Sequence, residues 1–524
     1  MNTSVSCREF VWLLAATALI LLCSSLPLMA GTRAETADQI FSGAIFDRQD
    51  YAVHLATMQI GARGEWAYQF QFTSEAHEGA YIKQFYLLLG HAARWLGDVS
   101  PKGPAATFQG ARLLLGGAAS FSVYLLMAQF FEGVFARQLA FLLAILAGGF
   151  GWLQLLTGWL PDPSISPMDF WLVDAYVFFG MSLFPHFAAS IALMCGMLTA
   201  YLQYLSDPRW RWGIAAAGMA VALQWIQPFS PLLPDLAMGM AWIASWRARP
   251  ARVRQAFGAL ALIGVAQLPL LAYNLSVLRT NPAFAEFARQ NTTLSPPPLY
   301  YLAGFGLAGV LAIVGIIAGR TPARWPLLAW VVAAFAAAYA PWNLQRRFML
   351  AITIPLAAFA VDGLRFLWLT VERRGRIRQR RNLWASLVLL VAALSSMYIS
   401  VGTAAFLGTR PASLFDPAPV VAAVDWLAEH ARPEDVVLAE TVEASQLVAA
   451  RAGLAAYWGH PIETLDFQEK ADAVRSYYAG RLGANWLGEA GIDWVIATSG
   501  AGLATPGVSL AYERDGILIF RIAP

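Results

Sequence analysis

Over most of its first 400 or so positions the chain alternates long apolar blocks with short polar ones. A helix needs about 20 apolar residues to cross the hydrocarbon core of a bilayer. By that rule the pattern predicts about eleven spans, at roughly 10–30, 105–131, 138–158, 184–205, 212–228, 231–246, 255–276, 299–318, 325–341, 348–370 and 383–404. The fifth and sixth are short and joined by Gln227-Pro228-Phe229-Ser230-Pro231, which reads as a tight hairpin or a broken pair. The first is read as an uncleaved helix, because its charged start holds only Arg8 beside Glu9.

Two regions lack this pattern. One is the long loop at 31–104. Within it Phe85, Leu88, Leu89, Ala92, Ala93 and Leu96 fall on one face of a helix over 81–96, the pattern of an amphipathic helix lying in the membrane interface. The other is the tail. A helical run over 420–430 precedes the strand-like Val436–Ala439, a helical run follows at 444–452, and Trp494–Ala497 and Ile517–Phe520 read as strands. That alternation predicts a small α/β domain. The expected organisation is a transmembrane domain over 1–415, with its long first loop, and an α/β domain over 416–524. The fold class is an α-helical polytopic membrane protein carrying a small C-terminal extracytoplasmic α/β domain.

Composition agrees with this class. Hydrophobic residues make up 58% of the 524 positions and charged residues 13%, about half the share usual in a soluble domain. Three cysteines, Cys7, Cys23 and Cys195, lie in or beside apolar segments, so no disulfide framework or zinc site is readable. There is no phosphate-binding loop of the nucleotide-hydrolysing type.

The distribution of arginine sets the expected orientation. With the N-terminus inside, the inner loops hold Arg209 and Arg211, then Arg247, Arg249, Arg252 and Arg254, then six arginines between 372 and 381. Such runs are topology signals and not nucleic-acid-binding patches. Eleven crossings then put the tail outside.

On that outer side carboxylates and histidines gather. Asp47-Arg48-Gln49-Asp50-Tyr51 opens the first loop, and Thr73-Ser74-Glu75-Ala76-His77-Glu78-Gly79 follows. A carboxylate near a bilayer surface is partly desolvated, which suits a general base. The bland reading is that Asp47 or Asp50 caps a helix. The second outer loop brings Asp162, Asp169, Asp174 and His186, the last as an interfacial residue at a helix entrance. The third ends in Ser295-Pro296-Pro297-Pro298, an extended, stiff run. Arg346 and Arg347 also fall outside, against the positive-inside tendency. Two readings apply there: a phosphate-binding pair, or a snorkelling pair with no function.

These strings resemble the GT-C superfamily of membrane glycosyltransferases, with bacterial members closest. The resemblance is carried by Asp47-Arg48-Gln49-Asp50-Tyr51, Phe72–Gly79, Phe184-Pro185-His186-Phe187, Gln290-Asn291 with Ser295-Pro296-Pro297, Gln345-Arg346-Arg347-Phe348, and Gly459-His460-Pro461-Ile462-Glu463-Thr464. It implies an enzyme of the cell (inner or plasma) membrane that moves a sugar from a polyprenyl-phosphate donor to a lipid, glycan or protein acceptor at the extracytoplasmic face, with no nucleic-acid partner. It further implies Asp50 or Asp47 as the base, Arg346 and Arg347 against the donor phosphate, and Glu75, His77, Glu78, Asp174 and His186 in the substrate pocket. Some members of the superfamily use a divalent metal and others do not, and no ligand set in the sequence decides between them. The Gly459–Thr464 string is expected to form a structured loop. The competing reading is a non-enzymatic transporter or lipid-carrier flippase. Such proteins often carry internal repeats and mid-membrane charges, and neither is evident here. A third reading is a scaffold whose tail binds a cell-wall partner.

Overall fold

The structure, a computed structural model, describes residues 5–97, 103–248, 253–319, 322–372, 381–498 and 507–523. Of the arginines expected in inner loops, Arg249, Arg252, Arg373, Arg374, Arg376, Arg378 and Arg380 lie outside the described residues.

Each of the eleven apolar blocks forms helix. Among the described residues seven are single helices long and apolar enough to cross a membrane: Cys7–Ala34, Pro104–Phe130, Pro185–Ser206, Val253–Thr280, Pro298–Ala318, Thr353–Thr370 and Asn382–Gly408. The block at 138–158 is a bent pair, Val134–Leu146 and Gly151–Thr157, inclined by 51°. The remaining three are shorter, at 17 residues for Trp210–Ile226 and Leu232–Ala248 and 14 for Trp325–Ala338. At about 1.5 Å per residue such helices fall short of a hydrocarbon core of about 30 Å. The chain is a membrane protein whose spans are of unequal length.

The break in the bent pair has a visible cause. Asp169 is buried and accepts hydrogen bonds from the backbone N–H groups of Gly149 (2.8 Å) and Gly151 (3.1 Å) and from the Ser395 hydroxyl (2.5 Å). Gly148 and Phe150 donate to the carbonyls of Ala392 and Ala303. The N–H groups exposed by the break are therefore satisfied by neighbouring chain, the condition for irregular backbone among membrane helices.

The chain forms two compact units. One comprises 1–26, 112–273 and 293–402, and the other 27–111, 274–292 and 403–524. The first is helical. Its helices Pro298–Ala318 and Thr353–Glu372 meet at small residues: a Cβ on Gly315 would lie 2.0 Å from the Phe359 carbonyl oxygen, and one on Gly363 2.1 Å from that of Leu311. Small residues allow this approach, which gives membrane helices their packing contacts.

The second unit is built on a five-stranded sheet. Its order runs Ala455–Ala456, Val436–Ala439, Trp494–Ala497, Ile517–Ile522, Val508–Arg514; the first three are parallel and the last two pair antiparallel. Side chains alternate across it, as strand geometry requires. Val437, Ala439, Trp494, Ile496, Ile517 and Ile519 face one core, and Val436, Leu438, Val495, Ala497 and Phe520 face another. The first core also receives Ala52, Val53 and Ala56 from helix Arg48–Arg63 and Phe72 from the loop after it. A separate two-stranded ribbon pairs Gln39–Phe41 with Phe415–Pro417.

Helix Gln84–Trp95 lies on helix Arg48–Arg63, with Gly61 and Gly90 at the crossing. Its inward side is formed by Tyr86, Leu87, Gly90, His91 and Ala93. Of the apolar stripe predicted from the sequence, Ala93 alone is buried. Phe85, Leu89 and Ala92 are partly exposed, and Leu88 and Leu96 are exposed. The helix is apolar on two sides, one for its neighbour and one turned out.

Candidate active site

Helix Arg48–Arg63 starts where Asp47 caps it. The Asp47 carboxylate accepts the backbone N–H of Asp50 at 3.0 Å, satisfying one of the donors left open at a helix start. Arg48 turns inward and is bound by Asp416 at 2.6 Å, with the Glu443 carbonyl also accepting from it. Burial outweighs this partner, and the Asp416 carboxyl sits above its ordinary range. Asp50, one turn into the helix, keeps its side chain 37% exposed.

The Asp50 carboxylate meets His460 Nε2 at 3.3 Å. His460 is buried in the turn that follows Trp458. Its Nδ1 accepts the backbone N–H groups of Ile462 (3.1 Å) and Glu463 (3.2 Å). A ring nitrogen that accepts carries no hydrogen, so the proton of the neutral ring is on Nε2, facing Asp50. Thr464 closes the turn by accepting the N–H groups of Gly459 and His460.

Glu463 adds a second group of charges. Its carboxylate accepts from the Tyr68 hydroxyl at 2.5 Å and from Lys83, whose ammonium also reaches Tyr68. Burial pulls the Lys83 ammonium below its ordinary range, against the opposing charge of Asp50.

The loop 69–79 is closed by backbone hydrogen bonds between Tyr68 and Ala80. Within it Glu75 is bound by Lys470 (2.6 Å) and Thr73. Burial alone would raise this carboxyl, but the Lys470 and Thr73 bonds and the Lys470 charge hold it below its ordinary range. His77 accepts the Phe70 N–H on Nε2 (3.0 Å) and donates from Nδ1 to the Glu75 carbonyl (2.8 Å), so both ring nitrogens are engaged within the loop. Glu78 is exposed, and its carbonyl accepts from Asn281.

The helical unit carries the other group of predicted residues. Arg346 and Arg347 lie on the short 3-10 turn Gln345–Met349. The turn is held by its backbone and by the extended run before the prolines. Arg346 N–H donates to the Thr293 carbonyl (3.0 Å), Thr293 N–H to Asn343 (2.7 Å), and Ser295 N–H to the Gln345 side chain (3.0 Å). Tyr339 donates to the Pro296 carbonyl. The Arg346 guanidinium stacks over Trp171 at 5.1 Å, and Arg347 approaches buried Asp174 at 3.6 Å. The Asp174 carbonyl also accepts the N–H of Ala351. His186, at the start of helix Pro185–Ser206, stacks on Phe184 and lies tilted against Phe187 at 4.2 Å.

The predicted residues thus fall into separate clusters. Asp50 is joined to His460, Glu75 to Lys470, and Asp174 to the arginine turn. Lys83, Lys470, Tyr68 and Trp171 were not singled out from the sequence, since nothing local marks them. His460 and Glu463 belong to the Gly459–Thr464 segment, which the sequence marks as a structured loop. Among the described residues no three His, Cys, Asp or Glu side chains come together as a metal site would need.

No protein-family model matches the sequence, and no curated protein matches it. The structure is similar to that of the oligosaccharyltransferase of Archaeoglobus fulgidus in its apo form, with a TM-score of 0.54 at 12% identity over 93% of this chain and 69% of that one. It is similar to the same organism's AglB in complex with an inhibitory peptide and a dolichol-phosphate, at TM-score 0.53, 13% identity, 94% and 70% coverage. It is also similar to ArnT from Cupriavidus metallidurans bound to undecaprenyl phosphate, at TM-score 0.53, 14% identity, 96% and 98% coverage.

The chain shares its fold with these oligosaccharyltransferase and ArnT structures. With ArnT the likeness extends over nearly the full length of both chains, membrane helices and sheet-bearing part included. It is a likeness of fold, so the roles of individual residues are argued from this chain's own geometry.

Proposed function

We propose that the chain is a glycosyltransferase that moves a sugar from a polyprenyl-phosphate donor to an acceptor hydroxyl at the extracytoplasmic face of the cell membrane. The N-terminus is then cytoplasmic and the tail domain outside. The observation that carries this reading is the full-length fold match to ArnT, a structure bound to undecaprenyl phosphate. The complex of AglB with dolichol-phosphate and a peptide supports a lipid-linked donor and a separate acceptor.

In this reading Asp50 takes the proton of the acceptor hydroxyl as its oxygen forms a bond to the anomeric carbon. The bond from that carbon to the phosphate oxygen breaks, and the electron pair leaves with the polyprenyl phosphate. Asp50 suits the role because its carboxylate is 37% exposed and hydrogen-bonded through Oδ1, whereas Asp47 is occupied as a cap. Arg346 and Arg347 suit the leaving phosphate, since guanidinium donors match phosphate geometry and stabilise charge that grows in the transition state. Glu75, His77 and Glu78 shape the loop on the acceptor side, and Asp174 orients Arg347. His186 contributes an aromatic wall.

The test uses the purified chain with polyprenyl-phosphate sugars, reading release of free polyprenyl phosphate. Asp50→Asn should lower turnover by about 10²–10⁴-fold, the usual contribution of a general base, while Asp47→Ala keeps activity and loses about 1 kcal/mol of stability with the cap. Turnover undiminished in Asp50→Asn would sink the assignment.

A further inference from the structure

We infer that His460 is a positioning residue for Asp50, holding the carboxylate oriented and ionised from the tail side of the same compact unit. This rests on the reading of Asp50 as the base.

The geometry makes the imidazole a one-directional donor. Two backbone N–H groups aimed at Nδ1 leave Nε2 as the protonated nitrogen, and Asp50 Oδ1 lies 3.3 Å from it. The ring cannot swing away. It is buried, faces Phe72 at 6.1 Å, and its backbone N–H is tied to Thr464. Gly459 sets the entry of this turn at φ +154, and a Cβ there would lie 2.8 Å from the Phe72 ring. A donor locked in this way does two things to a carboxylate. It selects one rotamer, and it favours the charged form over the neutral one.

One turn also governs the charges that face Asp50. Glu463, whose N–H holds His460, uses its carboxylate to hold Lys83 and Tyr68. Asp47 holds the Asp50 backbone from its own helix. The groups that face the carboxylate thus include His460 from the tail and Lys83 from the first loop, with Glu463 and Tyr68 bound to Lys83 and Asp47 at the helix start. Among these His460 touches the carboxylate from a fixed ring with a defined hydrogen.

Two amides separate positioning from a merely structural role. Asn at 460 places its carbonyl oxygen where Nδ1 stood, so it keeps the turn but offers no donor to Asp50. Gln at 460 extends its NH₂ towards the place of Nε2. Positioning predicts that His460→Asn lowers kcat by about tenfold with the donor KM within roughly twofold, as for a slightly misplaced catalytic group. It also predicts that the acid limb of the kcat profile moves to higher pH, because a carboxylate that loses a donor is easier to protonate. His460→Gln should keep both near the parent. The reverse order, Asn like the parent and Gln impaired, overturns the inference, as do two variants both like the parent. Thermal unfolding is measured alongside. If Asn lowers the unfolding temperature, Gln decides alone: a parent-like kcat and pH profile supports the donor at Nε2, and a kcat reduced more than about tenfold overturns it. Asp50→Asn in the same assay keeps the two readings apart. Loss of activity there with parent-like His460 variants removes the positioning role and leaves the base, whereas full activity there removes both.

Discussion

The acidic loop and the arginine turn are both short polar segments in an apolar chain, yet they are held in opposite ways. Beyond the Tyr68–Ala80 backbone pair that closes it and a backbone bond from Ala456 to Gln71, the loop and the helix start before it are fastened to the tail mainly through side chains: Arg48 to Asp416, Glu75 to Lys470, Lys83 to Glu463, Asp50 to His460. Each partner is more than 360 residues away. The arginine turn is fastened through its backbone, by Thr293, Asn343 and Ser295 with the Gln345 amide, while its guanidinium groups rest over Trp171 and beside Asp174. A segment held by its main chain can present its charges to a ligand without loosening. A segment held by its charges has most of them engaged in the fold. The carboxylate that stays partly exposed in such a network, Asp50, is correspondingly informative.

This contrast can be broken experimentally. The largest effect is expected from Arg48→Met. It leaves Asp416 buried without its partner, and removing one member of a buried ion pair costs about 3–5 kcal/mol. Urea or thermal unfolding of the purified chain should show it, and a change under about 1 kcal/mol would mean that the charges of this region do not hold it. Next comes Arg346→Ala. Held by its backbone, the turn should keep its stability, while turnover with a polyprenyl-phosphate sugar falls by about 10²-fold, the scale of one lost transition-state donor. A fall in unfolding temperature matching that of Arg48→Met would erase the difference between the regions. The smallest effect is that of Glu75→Gln, and it depends on pH. The folded state holds this carboxyl below its ordinary value of 4.5. Its stabilisation is therefore present above pH 4.5 and lost as pH falls through the lower folded value. Parent and variant should differ in unfolding temperature at neutral pH and converge in acid. A constant gap across that range would remove Lys470 as the cause.

Much of this was legible in the chain. Every apolar block is a helix because burial of about 20 apolar residues in lipid depends on composition and length, which are local. Strands Val436–Ala439 and Trp494–Ala497 were readable from continuous apolar runs buried on both faces. Val508–Arg514 was not, since its residues are mostly exposed and it exists by pairing with Ile517–Ile522. The short fifth and sixth spans were readable, but the bend in the third was hidden. A proline or glycine can end a helix early, but the break at 147–150 is sustained by Asp169 and Ser395, remote in sequence.

At the candidate site the division is sharper. The sequence by itself determined a membrane chain, and it marked the acidic start of its first loop and the arginine pair Arg346-Arg347 as candidates. It left Asp47 and Asp50 equivalent, because helix capping and catalysis both use carboxylates at a helix start. Only the tertiary structure gave Asp47 a backbone N–H and Asp50 an imidazole 410 positions away. The reason is physical. Hydrophobic length acts residue by residue along the chain, whereas a hydrogen bond needs a donor and an acceptor within about 3 Å, and which ones meet is decided by how the loop and the tail pack into one core.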